Sequence, residues 1–452
     1  MTPRYHIITL GCQMNKSDSE RIEALLASIG FESAQTELEA DLILINTCSV
    51  RQRAEDRVFG LVRNFAKLKK NNPRLLIGIT GCMAGRDKDK KFHKKMPEVD
   101  LYFPIHDMVN IPRWIAEFWP DRYLKNIDLV PDYLNITPNR HAKTQAFVTI
   151  QTGCNKFCSY CVVPFARGLE KNRLVKDILE EIKNLANQGY IEITLLGQTV
   201  NSYKAPDPEF FSSQNPYKNH FAALLWEINQ INGISRLHFT APHPIHMNSE
   251  VIDAMSLKAH FNFLHLPVQS GNNEILRRMN RRYSREDYLL LTEKIKTKLP
   301  NIAIGTDIIV GFSGETKEQF EQTLELYRQV EFDISYNAMY CQRSGTLAAK
   351  AFKDDVSLEE KKERWNALQE LMEEIVFKKN QAYIGKTVSV LVERYEPNRK
   401  KIGDQELRGM CVGNSREMKL TQFPGSESLI GQVVDVFIED AGIWILTGRQ
   451  KL

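Results

Sequence analysis

The chain has 452 residues, 42% of them hydrophobic and 26% charged, and its formal net charge at pH 7 is +4. This length and composition are typical of a globular protein with about two to four domains, and they exclude the disordered and fibrous classes. The net charge is too small to establish nucleic-acid binding, which therefore has to be argued from local basic patches.

The first residues, MTPRYHIITL, lack the charged segment and apolar core of a signal peptide. No apolar run approaches the roughly 18 residues that a transmembrane helix requires. We therefore expect a cytoplasmic protein without membrane contact. Its eight cysteines are then expected to be metal ligands or reactive thiols rather than disulfides.

The first part of the chain alternates short apolar strands with helices. Strands are predicted at 4–10, 42–46 and 75–80. Helices are predicted at 17–29, 50–70 and about 108–119. Ser17 is the predicted N-cap of the first helix, and Glu20 completes its capping box. Apolar strands separated by helices are typical of an open parallel α/β sheet.

Each of the three predicted strands is followed by a cysteine, and Cys12, Cys48 and Cys82 are called the N-terminal triad here. Ligands of parallel sheets lie outside the carboxyl ends of the strands, so these thiols are expected to converge at one edge. Buried structural thiols are the alternative for each cysteine taken singly. Three cysteines at the same topological position favour a metal cluster held by three thiolates, with one iron left open.

The stretch GCNKFCSYC at 153–161 holds three more cysteines, Cys154, Cys158 and Cys161, called the loop triad. A closed ferredoxin-type site requires a fourth cysteine, and a zinc site requires a fourth Cys or His nearby. No such residue lies between Val162 and Glu192. The spacing therefore favours a four-iron cluster with one open iron over a zinc knuckle or a chance group of structural thiols.

The central part of the chain contains six strand–helix units. Its strands are predicted at 146–151, 191–196, 235–240, 263–268, 302–310 and 333–339. A full eightfold barrel needs about 250 residues, so we expect a partial (β/α)6 barrel with its site at the carboxyl ends of the strands. The loop triad follows the first strand.

Polar residues near the other strand ends are candidate cofactor contacts, namely Gln198, Asn201, Gln269 and Asp307. For each of them singly, a loop-capping or solvated role is an equal alternative. A basic run follows the fourth strand and includes Arg277, Arg278, Arg281 and Arg282. Arginine-dense segments beside an active-site edge suit a phosphate backbone, whereas a solvated helix face is the alternative.

A charged helix is predicted at 358–383, packed on the barrel. Short strands follow at 387–392, 418–420, 433–438 and 443–447. They predict a small β-barrel resembling an OB fold, whose basic residues include Lys400 and Lys401 and suit RNA. The expected domains are 1–121, 145–380 and 381–452, with an aperiodic linker at 122–144.

Several segments together resemble the radical S-adenosylmethionine methylthiotransferases over essentially the whole chain. These segments are TLGCQMNKSDSE, NTCSVRQRAEDRV, GCMA, GCNKFCSYCVVPFARG, GQTVNSY, LHLPVQSGNNEILRRMNRRYSREDY, TDIIVGFSGET and RSGTLAA. CQMN and CSVRQRAE favour the family branch that modifies dimethylallyladenosine in bacterial tRNA.

The resemblance implies that the loop triad holds a [4Fe-4S] cluster that binds S-adenosylmethionine, with Tyr160 among the cofactor contacts. The N-terminal triad would hold a second, auxiliary [4Fe-4S] cluster, and the C-terminal barrel would be a tRNA-binding TRAM domain. The implied reaction adds a methylthio group to C2 of N6-dimethylallyladenosine next to the anticodon. The implied partners are the tRNA anticodon stem-loop, an electron donor such as flavodoxin or ferredoxin, and a sulfur source, for a monomeric enzyme.

Two alternatives stay open at this point. The same chemistry on threonylcarbamoyl-adenosine in tRNA or on a ribosomal protein is one, and a non-enzymatic RNA-binding iron–sulfur redox protein is the other. The chain departs from the family pattern at four positions, Asn172, Thr199, Ser313 and Cys341. None of them is expected to contact a cluster ligand.

Overall fold

The computed structural model describes residues 2–49, 52–120, 132–397, 401–402, 405–406 and 409–451. Among these residues no helix combines the length and hydropathy needed to cross a membrane.

The N-terminal unit is a five-stranded parallel sheet with the strand order β2-β1-β3-β4-β5. Its strands are β1 (Arg4–Leu10), β2 (Glu32–Ser33), β3 (Leu42–Thr47), β4 (Leu76–Gly81) and β5 (Leu101–Tyr102). Its helices are α1 (Gln13–Ser28), α2 (Gln52–Asn71), α3 (Cys82–Arg86) and α4 (Ile111–Phe118). Every residue of β3 is buried, because helices cover both faces of the sheet. Leu44 packs with α1 on one face, and Ile45 packs with α2 on the other, as expected of a parallel sheet.

The central unit contains six parallel strands whose spatial order follows the chain. A first sheet has the order β10-β9-β6 and a second has the order β11-β12-β13, and a parallel bridge between Leu237 and His260 joins them. The six strands are β6 (Gln145–Thr149), β9 (Glu192–Leu196), β10 (Arg236–Phe239), β11 (Phe263–His265), β12 (Ala303–Val310) and β13 (Ile334–Met339). This arrangement confirms the predicted partial barrel.

Two further two-residue strands form a hairpin beside β6, namely β7 (Gln151–Thr152) and β8 (Lys171–Asn172). The helices of the central unit are α5 (Val163–Arg167), α6 (Val175–Asn187), α7 (His220–Asn229), α8 (Ser249–Ala254), α9 (Asn273–Arg278), α10 (Arg285–Lys298), α11 (Lys317–Val330) and α12 (Leu347–Ala351). The long helix α13 (Leu358–Gln381) leads from it to the last unit, as predicted.

The C-terminal unit is a closed five-stranded barrel with the order β14-β17-β18-β20-β19, which confirms the predicted small β-barrel. Its strands are β14 (Thr387–Glu396), β17 (Met410–Ser415), β18 (Leu420–Pro424), β19 (Val433–Ala441) and β20 (Leu446–Gln450). A separate pair, β15 (Lys401–Ile402) and β16 (Gln405–Glu406), forms a two-stranded sheet.

The prediction of a strand at 418–420 was wrong, and β17 was missed. Met418 lies in a turn with a φ of 57°. The sequence MCVGNS of β17 resembles a turn because of its glycine and asparagine, but a Cβ at Gly413 would lie 1.8 Å from the Leu391 carbonyl oxygen. Glycine is therefore needed there for the close approach of two strands.

The prediction that Ser17 caps the first helix was also wrong. Helix α1 begins at Gln13, and Cys12 is its N-cap in a capping box with Asn15. Ser17 is fully buried within the helix, where its Oγ accepts a hydrogen bond of 2.6 Å from Arg21. Ser17 is therefore part of a buried polar contact rather than a helix terminus.

Two other predicted segments overlap residues outside the described part of the chain. The predicted helix at 50–70 corresponds to α2, and its first two residues are outside that part. The same holds for 122–131 of the predicted linker. Tyr133 and Leu134 pack in the core of the N-terminal sheet, and the predicted domain bounds stay predictions. The predicted helix at 108–119 is a 3₁₀ segment (Ile105–Asn110) followed by α4.

The C-terminal barrel packs against the amino end of the central barrel. Arg236, the first residue of β10, forms an ion pair of 2.6 Å with Glu192 and donates a hydrogen bond of 3.0 Å to the Asn414 carbonyl. Arg416 donates a hydrogen bond of 2.5 Å to the Lys258 carbonyl. The opposite end, where the carboxyl ends of the strands lie, carries the loop triad.

Candidate cluster-binding site

The loop that carries the loop triad follows β7 in a fixed backbone conformation. Gly153 has a φ of 72°, and a Cβ on it would lie 2.1 Å from the Leu169 carbonyl oxygen. The Cys154 amide donates to the Gly168 carbonyl at 3.1 Å, and the Cys161 amide donates to the Cys158 carbonyl at 2.9 Å. The loop is therefore folded back on itself by its own backbone contacts.

The segment after α9 holds this loop from outside. The Ser159 amide donates to the Met279 carbonyl at 3.0 Å, and the Asn280 side chain donates to the Phe157 carbonyl at 3.0 Å. Both Phe157 and Asn280 have a positive φ, a conformation that favours asparagine over most residues. The segment predicted to contact RNA thus forms part of the wall of the cysteine loop.

The thiols of the loop triad are largely shielded from water. Cys154 and Cys158 are buried, and Cys161 is half-buried. Burial raises the pKa of Cys154. Burial, together with the neighbouring Cys158 and Cys154, raises the pKa of Cys161 to about 12. Burial therefore disfavours the thiolate form of Cys154 and Cys161, and metal binding has to displace their protons.

Two side chains make polar contacts to sulfur atoms of the loop triad. Thr199 Oγ1 lies 3.2 Å from Cys154 Sγ, and Arg281 Nη1 donates to Cys158 Sγ at 3.5 Å. The expectation that no departure from the family pattern contacts a cluster ligand was therefore wrong for Thr199. The error arose because Thr199 follows β9 and the cysteine loop follows β6 and β7, and only the parallel pairing of β6 with β9 brings the two loops together.

Arg281 does not fit the nucleic-acid role predicted for it. Its side chain is 5% exposed, and it also donates to the Pro267 carbonyl at 2.9 Å and to Tyr283 Oη at 2.9 Å. This burial leaves no surface for a phosphate contact. Arg281 instead holds the Cys158 side of the cysteine loop.

The N-terminal triad lies at one edge of the N-terminal sheet. The three strands before these cysteines are neighbours, and Leu10, Thr47 and Gly81 are directly paired across them. Cys12 caps α1, Cys48 follows β3 and Cys82 begins α3. The predicted convergence of the three cysteines at the carboxyl end of the sheet is what the strand register produces.

A buried amide pair and a glycine fix this edge. Asn15 Nδ2 donates to Asn46 Oδ1 at 2.9 Å, and Asn46 Nδ2 donates back to the Asn15 carbonyl at 2.8 Å. Gly81 has a φ of 92°, and a Cβ there would lie 2.4 Å from the Thr47 carbonyl oxygen. The chain can therefore turn from β4 into α3 only with glycine at this position.

The described residues include no group of three or more His, Cys, Asp or Glu side chains arranged around a single metal ion. Two buried polar atoms near Cys82, Thr80 Oγ1 and Arg167 Nη1, have no hydrogen-bond partner in the described structure. Such atoms are costly unless a bound group satisfies them.

The two triads are brought together by the packing of α3 on α5. Helix α3 begins at Cys82, and α5 begins two residues after Cys161. A Cβ on Gly85 of α3 would be 2.1 Å from the Ala166 carbonyl oxygen of α5, so the two helix backbones are in direct contact. A second contact between the units joins Arg343 to Glu55 at 3.7 Å.

The predicted cofactor contacts differ in how far their polar groups are already used in contacts within the chain. Asn201 uses both ends of its amide on the His243 backbone, at 3.0 and 2.8 Å, so it joins two loops. Gln269 has a φ of 73°, and its backbone N–H donates to the Asp307 carbonyl at 2.9 Å. Tyr160 packs beside the small core cluster that contains Phe312. Gln198, two residues after the end of β9, is half-buried.

Asp307 lies on the inner face of the central barrel. Side chains alternate along a strand, and Ile304 and Ile308 of β12 point the other way, into the core packed against the helices. The Asp307 carboxylate is 3.1 Å from His265 Nε2. Tyr336 is its register partner on β13, and the rings of Tyr336 and His265 are 5.5 Å apart. Tyr336 and His265 were missed, although the period-2 alternation along 303–310 could have identified this inner face.

The remaining predicted nucleic-acid residues lie mostly at the surface. Arg277 is exposed and forms an ion pair of 2.7 Å with Glu274. Arg278 lies over the Phe352 ring at 4.7 Å. Arg282 has a φ of 59°. Lys400 and the side chain of Lys401 lie outside the described part of the chain.

A basic cavity that was not predicted lies beside the cysteine loop. Its volume is about 790 Å³, and Lys156, Lys204, Lys218 and His246 are among its lining residues. Burial, together with the charges of Lys156 and Lys204, lowers the pKa of His246 to about 4. The lysines come from separate loops, so no single run of the sequence marked this patch.

Gly153→Ala is expected to weaken cluster binding because it places a Cβ against backbone and holds alanine at a φ of 72°. The strain costs roughly 1–3 kcal/mol. Gly60→Ala is the control, since Gly60 lies within helix α2, has no positive φ, and a Cβ added there would meet no atom within 4 Å. Iron content after anaerobic reconstitution should fall for Gly153→Ala and stay close to the unmodified value for Gly60→Ala. Equal iron content in the two variants would contradict this account of the loop.

Comparisons with known proteins agree with this geometry. Residues 4–104 match the model of the uncharacterized protein family UPF0004, and residues 148–327 match that of the Radical SAM superfamily. Two relatives are named tRNA-2-methylthio-N(6)-dimethylallyladenosine synthase. The one from Geobacillus kaustophilus is 42% identical over 99% of this chain and 82% of its own length. The one from Bacillus subtilis is 39% identical over 99% of this chain and 85% of its own length.

Among solved structures, the fold is similar to a radical S-adenosylmethionine methyltransferase, TsrM from Kitasatospora setae, with cobalamin and a [4Fe-4S] cluster bound. The TM-score is 0.54 at 13% identity, over 77% of each chain, so this likeness concerns the fold alone. The near-complete match to the named relatives decides the family. The chain belongs to the tRNA-2-methylthio-N(6)-dimethylallyladenosine synthase family of radical S-adenosylmethionine enzymes.

Proposed function

We propose that this chain is a radical S-adenosylmethionine transferase that adds a methylthio group to C2 of N6-dimethylallyladenosine in tRNA. The observation that carries the proposal is the presence of two separate three-cysteine sites, joined by the direct packing of α3 on α5. Cleavage of S-adenosylmethionine needs only one such site, so the second site is available for another step. The second site, built into the N-terminal sheet, supports sulfur transfer.

The loop triad would hold the cluster that binds S-adenosylmethionine, and the N-terminal triad would hold the auxiliary cluster. When bound, these groups supply electron transfer, a 5′-deoxyadenosyl radical, sulfur and a methyl group, which is chemistry of the cofactors. The protein holds the thiolates, orients the substrate and excludes water. The Arg236–Glu192 pair and the C-terminal barrel close the amino end of the central barrel.

The inner face of the central barrel supports binding of a nucleobase. Tyr336 is 55% exposed and offers an aromatic face, on which an unstacked base can rest. The His265–Asp307 pair adjoins it and offers polar atoms. We infer that the target adenosine is flipped out of the RNA stack into this part of the barrel, with Tyr160, Gln198, Asn201, Gln269 and Asp307 around the cofactor.

Basic groups near the carboxyl end of the barrel support a tRNA anticodon stem-loop as the substrate. The cavity with Lys156, Lys204 and Lys218 lies beside the cysteine loop, and Arg277 and Arg282 lie on the segment that follows β11. Lysine and arginine side chains bind phosphates in a salt-dependent way. We assign the C-terminal barrel to the TRAM type and infer that it binds the same RNA.

The finer partners are part of this proposal. The enzyme would be a cytoplasmic monomer that takes electrons from a donor such as flavodoxin or ferredoxin and takes sulfur from a separate source. Three-thiolate sites require anaerobic, reducing conditions, since exposed cluster irons and thiols are oxidised readily.

The test of the proposed function is nucleoside mass spectrometry of tRNA from cells that lack this gene and from cells that regain it. We expect the prenylated adenosine without its methylthio group in the deletion strain, and the methylthio form after complementation. Complementation with the loop triad replaced by alanine should leave the unmodified form. Unchanged dimethylallyladenosine tRNA, with loss of the methylthio group on threonylcarbamoyl-adenosine or a ribosomal protein, would contradict the assignment of the substrate.

A further inference from the structure

Arg167 is a buried arginine that the proposed function has not yet used. It is the last residue of α5, the helix that directly follows the cysteine loop. Its side chain crosses into the N-terminal unit, where Nη2 donates to Asp18 Oδ2 at 2.6 Å. Both side chains are 1% exposed. This contact is therefore a fully buried ion pair between the two cysteine-bearing units.

The guanidinium of Arg167 also lies beside the Cys82 thiol. Burial raises the pKa of that thiol, and the positive charge of Arg167 and its polar contact with the sulfur oppose this effect. Nη1 of the same guanidinium is buried and has no hydrogen-bond partner in the described structure. Arginine is a donor only and has no acceptor to offer, so the natural partner of this N–H is an anionic atom such as a thiolate sulfur.

Three helices that begin at or just after cysteines of the two triads fix the position of Arg167. Helix α1 begins after Cys12 and holds Asp18. Helix α3 begins at Cys82, and α5 packs on it through the Gly85–Ala166 contact. The guanidinium is therefore fixed by one partner from the helix of Cys12 and stands next to Cys82.

The loop triad has a comparable arrangement. Arg281 is buried and donates to Cys158 Sγ at 3.5 Å, so each three-cysteine site has one buried arginine at one of its sulfurs. Hydrogen bonds to cluster sulfurs make reduction of an iron–sulfur cluster more favourable, and outer partners of this kind also affect metal retention.

We propose that Arg167 is a positioning residue of the auxiliary cluster, donating a hydrogen bond from Nη1 to the Cys82 thiolate when the cluster is bound. Asp18 holds the guanidinium in place from its other side. The inference rests on the proposed function only in that the N-terminal triad must hold a cluster. It adds that a residue of the central unit sets the reduction potential of the cluster in the N-terminal unit.

The test uses the full chain with the loop triad replaced by alanine, so that only the auxiliary cluster contributes to the signal. Redox titration followed by electron paramagnetic resonance gives the midpoint potential, and transfer of iron to a chelator gives the rate of iron loss. Arg167→Met is expected to shift the midpoint to a more negative potential and to speed iron loss by roughly 10-fold. Arg167→Lys keeps the charge but loses the planar donor fork and is expected to give a smaller shift.

Arg364→Met is the matched control, because Arg364 is also a buried arginine paired with a buried carboxylate, Glu315, at 3.0 Å. Its loss should destabilise the chain without changing the potential or the rate of iron loss. A folded Arg167→Met chain with an unchanged potential and unchanged iron loss would overturn the proposal, and so would an equal shift in Arg364→Met. If Arg167→Met does not fold, an unchanged potential in Arg167→Lys overturns it.

These outcomes are distinguishable from failure of the proposed function. Absence of iron from the N-terminal triad in the chain with Arg167 intact would overturn the proposed function and this inference together. Bound iron with a potential that does not respond to Arg167 would overturn this inference alone.

Discussion

Replacing the loop triad together by alanine is expected to halve the iron content of the anaerobically reconstituted chain and to abolish cleavage of S-adenosylmethionine. The unmodified chain should hold about eight irons, because two four-iron clusters are expected. The remaining iron belongs to the N-terminal triad, whose ligands come from a different sheet. Iron and sulfide analysis, with detection of 5′-deoxyadenosine after addition of a reductant, measures both effects.

Cys341→Ala is the control for this experiment. Cys341 is an exposed thiol outside both triads, so its removal should leave the iron content and the cleavage unchanged. Loss of all iron from the loop-triad variant would mean that the two sites are one, and bound zinc in place of iron would contradict the cluster assignment altogether.

Replacing the N-terminal triad by alanine is expected to separate the two halves of the reaction. The chain should keep about half of its iron, in the loop triad, and should still cleave S-adenosylmethionine, because no described contact of Cys154 or Cys158 comes from the N-terminal sheet. No methylthio product should form, since in the proposed function the auxiliary site supplies the sulfur. Nucleoside mass spectrometry of a tRNA substrate, run beside the cleavage assay, measures the separation.

This second variant needs a control for folding, because Cys12 is the N-cap of α1 and Cys82 begins α3. Serine at the three positions keeps a hydroxyl that can cap a helix but is a poor cluster ligand. The serine variant should therefore lose the same iron with less loss of stability. Methylthio product from either variant would contradict a role of the N-terminal triad in sulfur transfer.

The sequence was sufficient for the residues that follow regular strands. The convergence of Cys12, Cys48 and Cys82 could be predicted because apolar strands separated by helices form a parallel sheet, and all strands of such a sheet end at the same edge. The loop triad was recognised from the spacing of its cysteines alone, since a short loop needs no tertiary contact to bring them close. The partial barrel followed from the number and spacing of its strands.

Residues that act across units could be assigned a role only from their tertiary contacts. Arg281 looked like one more cation of a surface run, yet it is buried at Cys158. Arg167 had no distinguishing pattern, yet it reaches Asp18 in another unit. Whether a charged side chain is solvated or buried depends on what packs over it, and that partner lies far away in the sequence.

The same limit explains the errors in the C-terminal barrel and at Thr199. A glycine in β17 looks like a turn unless the strand that approaches it is known, and Thr199 meets Cys154 only when β6 and β9 pair. The expected ligands of both clusters could be chosen from the sequence, because they depend on local spacing and on strand ends. How the two sites are supported and joined became visible only in the folded chain, because those contacts arise from packing between segments distant in the sequence.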